Sequence, residues 1–120
     1  MSIRIPDLLA QKARKFGAST EDVQFRALCS DAINYALDDI ENIVGVATTR
    51  ILPQDTTIDL DAQMFGVEVS MGMDFYLQDS SEFQVQPLAG VEARYKDKLR
   101  TARMRYERTL TIHTKRGNLE

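Results

Sequence analysis

The chain has 120 residues, 43% of them hydrophobic and 28% charged, which suits one globular domain and excludes a disordered chain. No apolar run approaches the ~20 residues that a bilayer-spanning helix needs, so no membrane partner is expected. The formal net charge of −3 hides a division: residues 27–93 hold twelve acids against one base, Arg50, and residues 94–116 hold nine bases against Asp97 and Glu107.

The opening stretch, MSIRIPDLLAQKARK, has no apolar h-region, so no secretory leader is expected. Pro6 suits a first helical turn and Gly17 a helix C′ position, with Lys12, Arg14 and Lys15 complementing the dipole of the last turns. The spacing predicts a short helix over 6–16. Ser19 and Thr20 offer N-caps for a second, longer helix that Gly45 stops. Its face is Val23, Leu28, Ala32, Ala36, Ile40, Ile43 and Val44, widened by Phe25, Cys29, Ile33 and Leu37. So wide a face marks the central helix of the domain.

Residues 46–59, VATTRILPQDTTID, are rich in β-branched residues around a Pro-Gln-Asp turn, and predict a hairpin or an extended arm standing away from the core. MFGVEVSMGMDFYLQD (64–79) carries two periods at once. Val67, Val69, Met71, Met73, Phe75 and Leu77 alternate as in a strand, whereas Leu60, Met64, Val67, Met71 and Phe75 step as on a helix. A strand would need a partner from 46–58 or 109–114, so a helix over about 60–78 is the expectation. Val67, Met71 and Phe75 would then face inward, and Val69 and Met73, left on other sides, would face a neighbouring subunit. Gly66 and Gly72 would let another helix approach closely.

Asp79-Ser80-Ser81-Glu82 reads as a loop, and Pro87 opens a last helix with Leu88, Val91, Tyr95, Leu99, Ala102 and Tyr106 on one stripe to about Arg108. Beyond it, TLTIHTKRGNLE (109–120) alternates Leu110 and Ile112 with polar residues and is expected to be an extended, protruding tail. The fold class expected is all-α: a bundle of about four helices over 1–108, with the 46–59 arm and the C-terminal tail.

Few residues suggest chemistry. His113, the only histidine, lies in the tail, which removes a histidine-based nucleophilic site or metal site from any packed cleft. Cys29, the only cysteine, fits a reducing compartment and lies on the apolar face of its helix, where a small buried hydrophobe is the ordinary reading. DTTIDLD (55–61) resembles a calcium loop but has Leu60 and Gly66 where that loop needs glycine and glutamate. No glycine-rich phosphate loop is present. An enzyme is not expected, nor a cofactor or metal.

The basic helix is the strongest signal. Arg94, Lys98, Arg105 and Arg108 share one side, with Lys96, Arg100 and Arg103 on the flank. It fits a solvated face, nucleic-acid binding through phosphates, or pairing with the acidic surface of another copy, and the sequence pI of about 5.2 disfavours a dedicated DNA binder. Expected subunit or portal contacts are Arg94, Lys98, Arg105, Arg108, Ile112, His113, Lys115, Arg116, Val69 and Met73.

The segments GVEVSMGMDFYLQDSSEF (66–83) and PLAGVEARYKDKLRTARMRY (87–106) resemble the head–tail connector, or portal-adaptor, proteins of tailed bacteriophages. In that family a helix ends in an aromatic–leucine pair before a short polar link. A last helix then carries a spaced tyrosine, leucine and alanine, here Tyr95, Leu99 and Ala102. The resemblance implies a non-enzymatic virion protein at the head–tail junction, made in the host cytoplasm. It would assemble as a homo-oligomeric ring, a dodecamer of about twelve copies, beneath the portal protein. The ring would extend the channel for genomic DNA, without sequence specificity, and dock a downstream tail or neck protein. The alternative is a small helical nucleic-acid-binding or regulatory protein using residues 94–116.

Overall fold

The computed structural model describes the backbone of residues 1–79 and 87–119 and the side chains of 1–79 and 87–110. The expected polar connector at 80–86 and Glu120 lie outside the described residues.

The chain is mostly helical, with four α-helices and a two-stranded sheet among the described residues. Strand β1 (Ser2–Arg4) runs into α1 (Ile5–Phe16), where Pro6 occupies the first turn. Gly17 ends α1 in the left-handed region (φ 67°), and the Ala18 N–H donates back to the Ala13 carbonyl, the 6→1 closure of a Schellman cap. Helix α2 (Val23–Asp39) starts three residues beyond Thr20 because Asp22 is its cap, its carboxylate accepting from the Gln24 and Phe25 N–H groups. A π-helical turn (Ile40–Val44) prolongs α2 until Gly45, at φ 90°, closes it on the Ile40 carbonyl. The core rows of this unit are Phe25, Cys29, Ala32, Ile33, Ala36, Leu37, Ile40 and Val44, while Val23 is exposed.

The all-α expectation needs correcting at β1, which pairs antiparallel with β2 (Thr57–Asp61) in the register Ile3↔Ile58 and Arg4↔Thr57, with an irregularity before Ser2↔Asp61. The 46–59 arm does not stand away from the core. Ile51, Ile58 and Leu60 are buried, and side chains of α2 hold the arm's backbone. The Asn34 amide oxygen accepts from Ile51 N–H at 2.8 Å, and its NH₂ donates to the Ile51 carbonyl at 3.1 Å. Thr48 Oγ1 donates to the Leu37 carbonyl at 3.3 Å. One asparagine thereby replaces a partner strand, satisfying backbone groups that burial would otherwise orphan.

Helix α3 (Ala62–Asp79) resolves the double period as helix, but its most buried side is not the stripe expected: Met64, Met71 and Phe75 of that stripe pack against the core only partly buried. Phe65, Val69, Gly72, Met73 and Leu77 are buried, whereas Val67 is 55% exposed. The reason is Gly72: a Cβ there would lie 2.7 Å from Ala36 Cβ and 2.9 Å from the Tyr95 hydroxyl, so only glycine admits α2 and the last helix this closely. Gly66 has no such neighbour.

Helix α4 (Leu88–Leu119) buries Val91, Tyr95, Leu99 and Ala102, the stripe expected. Residues 109–119 are not extended; α4 continues through them. The packed turns have already met the cost of nucleation, so each further residue needs only helix propagation. Described side chains from Glu107 to Leu110 are all exposed.

Candidate interaction surfaces

At one end of the molecule, Asp38 and Asp39 stand where α2 passes into its π-helical turn. Asp39 is held by hydroxyl donors. Its Oδ2 accepts from Tyr76 at 2.5 Å and from Tyr95 at 2.8 Å, so a single oxygen joins α2, α3 and α4. Burial first, then the field and hydrogen bond of Asp39, push both phenols well above their ordinary acidity range. Asp38 and Asp79 add to the negative field at Tyr76. The Tyr35 ring, 50% exposed, leans on Tyr76 at a centroid distance of 5.1 Å. Arg50, the lone base of the central segment, reaches Asp38 at 3.0 Å. The result is an acidic, aromatic end.

The basic side of α4 is unevenly used. Arg105 is taken up within the chain: it meets Glu68 at 2.8 Å and donates to the Met64 carbonyl, and Glu68 is only 2% exposed. Arg103 pairs with Glu107 one turn on, and Lys96 lies 5.9 Å from the Tyr95 ring centroid. Arg94, Lys98, Arg100 and Arg108 are exposed and form no ion pair with a described residue. Ile112, His113, Lys115 and Arg116 lie on α4 by backbone, and their side chains are outside the described residues. Val69 and Met73, expected to face a neighbouring subunit, are 0% exposed inside the chain's own core, because they flank the Gly72 crossing. The surplus apolar surface expected of them sits at Val67 instead.

Helices α3 and α4 run antiparallel: Tyr76 meets Tyr95 at the acidic end, and Glu68 meets Arg105 farther along. Arg108 stands about 20 Å of helix rise from Tyr95, and Arg116 roughly 30 Å. The longest dimension of the chain is 54 Å. Acidic end and far basic turns are therefore at opposite ends of an elongated molecule.

A second polar cluster, which no sequence pattern exposed, joins α1 to α3. Lys12, 2% exposed, donates to Ser70 Oγ at 2.7 Å and lies 2.8 Å from Asp74 Oδ1, in an ionic contact off the hydrogen-bonding direction. Lys15 holds the other Asp74 oxygen at 2.9 Å. Burial pulls the Lys12 ammonium below its ordinary range, against the opposing pull of Asp74. A helical-wheel reading places Lys12 among dipole-complementing surface lysines, because sequence spacing does not reveal which aliphatic stem the core covers.

A cavity of about 300 Å³ opens between α1, α2 and the 53–56 turn, with Cys29, Ile33 and Met73 on its apolar side and Arg26 and Asp55 among its polar residues. Burial pushes the Cys29 thiol up to about 12, so it lies there protonated and unreactive. Among the described residues no three histidine, cysteine or acidic side chains are grouped to hold a metal ion. Compared with protein-family models, curated proteins and solved structures, the chain matches none of them.

Proposed function

We propose that this chain is a structural virion protein, a head–tail connector that assembles as a ring under the portal of a tailed bacteriophage, extends the DNA channel and docks the tail. The observation that carries the reading is the α3–α4 pair. The residues on which the resemblance rests are also those that lock the two helices: Leu77 ends α3 in the core, and Tyr95, Leu99 and Ala102 are buried along α4. Past this lock α4 runs on with exposed bases, which suits contact with other chains rather than self-packing. In this reading the protein performs no chemistry. Its surfaces hold portal, neighbour and tail, and DNA passes without base-specific contact.

The test is binding of the purified chain to a portal ring encoded beside it, followed by imaging of the complex. Additional density forming a closed collar beneath the portal is the expected result. A monomer that ignores the portal and binds duplex DNA at submicromolar affinity, with a steep salt dependence, would establish the nucleic-acid-binding alternative.

A further inference from the structure

We propose that the outer face of α2 in one copy docks on the outer face of α3 in a second copy, with acids beside apolar residues on the first meeting the bases of α4 that wall the second. The proposal rests on the self-assembly part of the function above and specifies its surfaces.

The receiving surface is an apolar strip with a basic wall. Met64, Val67, Met71 and Phe75 step by three and four residues and form the side of α3 opposite the buried Val69 and Met73. Val67 is 55% exposed and the other three are half-buried. Helix α4 borders this strip, because Arg105 reaches across to Glu68 and to the Met64 carbonyl. Arg94 and Lys98 lie on the same side of α4 as Arg105, about three and two turns earlier. Both are exposed and form no ion pair with a described residue. The acids nearest the strip are already engaged, Glu68 by Arg105 and Asp74 by Lys12 and Lys15. Such a surface suits a helix that carries acids beside apolar residues.

The chain itself holds that helix. Residues 21–44 carry six acids against one base, Arg26. Val23, Ala27, Asp31, Tyr35 and Asp38 step by four and three along α2, on the side opposite the buried Cys29 and Ala36. Val23 is 79% exposed, and Ala27, Asp31 and Tyr35 are exposed with it. Asp31 forms no ion pair with a described residue, and Asp38 keeps an open flank beside Arg50. Both helices are about 26 Å long, so the two faces match in reach. Helix α2 packs on α3 through Ala36 at Gly72 and Asp39 at Tyr76, so the two outer faces point away from each other. One copy cannot bring its own faces together. The contact joins different surfaces, is therefore heterologous, and repeats into a ring or a filament.

Charge reversal with exchange tests this. Arg94→Glu/Lys98→Glu removes the basic wall, and Asp31→Lys/Asp38→Lys removes the acids of α2. Circular dichroism and thermal unfolding verify that both variants remain folded. By sedimentation velocity the wild-type chain should self-associate, with association weakening as salt rises. Each variant alone should associate at least about tenfold more weakly, and an equimolar mixture should recover association. Crosslinking locates the contact without altering charge. Oxidising a mixture of Ala27→Cys and Val67→Cys chains should join one of each kind by a disulfide, the native Cys29 being buried. The proposal is overturned if both charge variants associate like wild type, if their mixture fails to recover, or if the crosslink joins only like with like. A wild-type chain that stays monomeric in low salt at high concentration also overturns it, and leaves the strip to a different acidic partner. Portal binding is scored separately. Charge variants that still form a portal-bound collar would leave the connector function standing without this contact. Exchange-dependent association without portal binding would do the reverse.

Discussion

Gly72 and Gly66 sit one and a half turns apart on the same helix and should respond oppositely to alanine. At Gly72 the added methyl collides with Ala36 and the Tyr95 hydroxyl, so Gly72→Ala should cost about 1–3 kcal/mol in denaturant unfolding. At Gly66 nothing stands within 4 Å, and Gly66→Ala should stabilise by about 0.5–1 kcal/mol through helix propensity alone. Glu68 depends on Arg105 as its ion-pair partner. Arg105→Ala strands a buried carboxylate, while water reaches the site through the half-exposed arginine position, so a loss of about 1–3 kcal/mol is expected. Cys29 sets an alkaline signature. Its folded-state value of about 12 lies above its ordinary 9.0, so the folded chain keeps the proton longer. That contribution is complete below pH 9 and is lost as pH climbs toward 12. Lys12 acts with the opposite sign: its folded value is lowered, so its contribution grows as pH rises toward 10.5. Cys29→Ala should therefore flatten the loss of stability measured by urea titrations above pH 9, the point at which the unfolded thiol begins to ionise.

At the scale of elements, the joints are made by single polar side chains between long-range partners. Asn34 ties the arm to α2 through both its amide groups, so Asn34→Ala should free the Ile51 backbone. Amide hydrogen exchange should accelerate at Ile51 and along β2 while α4 near Leu99 keeps its protection. These joints also mark where a reading of the residues succeeds and fails. The ends of α1 and of the α2 unit, at Gly17 and Gly45, were legible because a left-handed residue beside a polar boundary is a local requirement. The stripe of α4 was legible because six apolar residues repeat on one side with bases on the other. The face of α3 was not, since apolar residues surround it and its buried side includes Glu68 and Gln78, which pattern alone assigns to solvent. Strand β1 was missed because three residues carry no period, and its pairing with β2 spans more than fifty positions.

For the whole molecule, a packed body and a projecting helix should separate experimentally. Ending the chain after Thr109 keeps half-buried Tyr106, the last packed side chain among the described residues, so the thermal midpoint should stay within a few degrees of wild type. By itself the sequence determined the number of main helices, where two of them stop, the packed stripe of α4 and the division of charge, because each follows from spacing and residue type within one stretch of chain. Only the tertiary structure decided which side of α3 is buried, that the arm lies on the core, that Lys12 is enclosed, and that Asp39 joins three helices. Those outcomes depend on which helix comes within reach of Gly72, Asn34 and Asp39, and such contacts between distant residues have no period to be read.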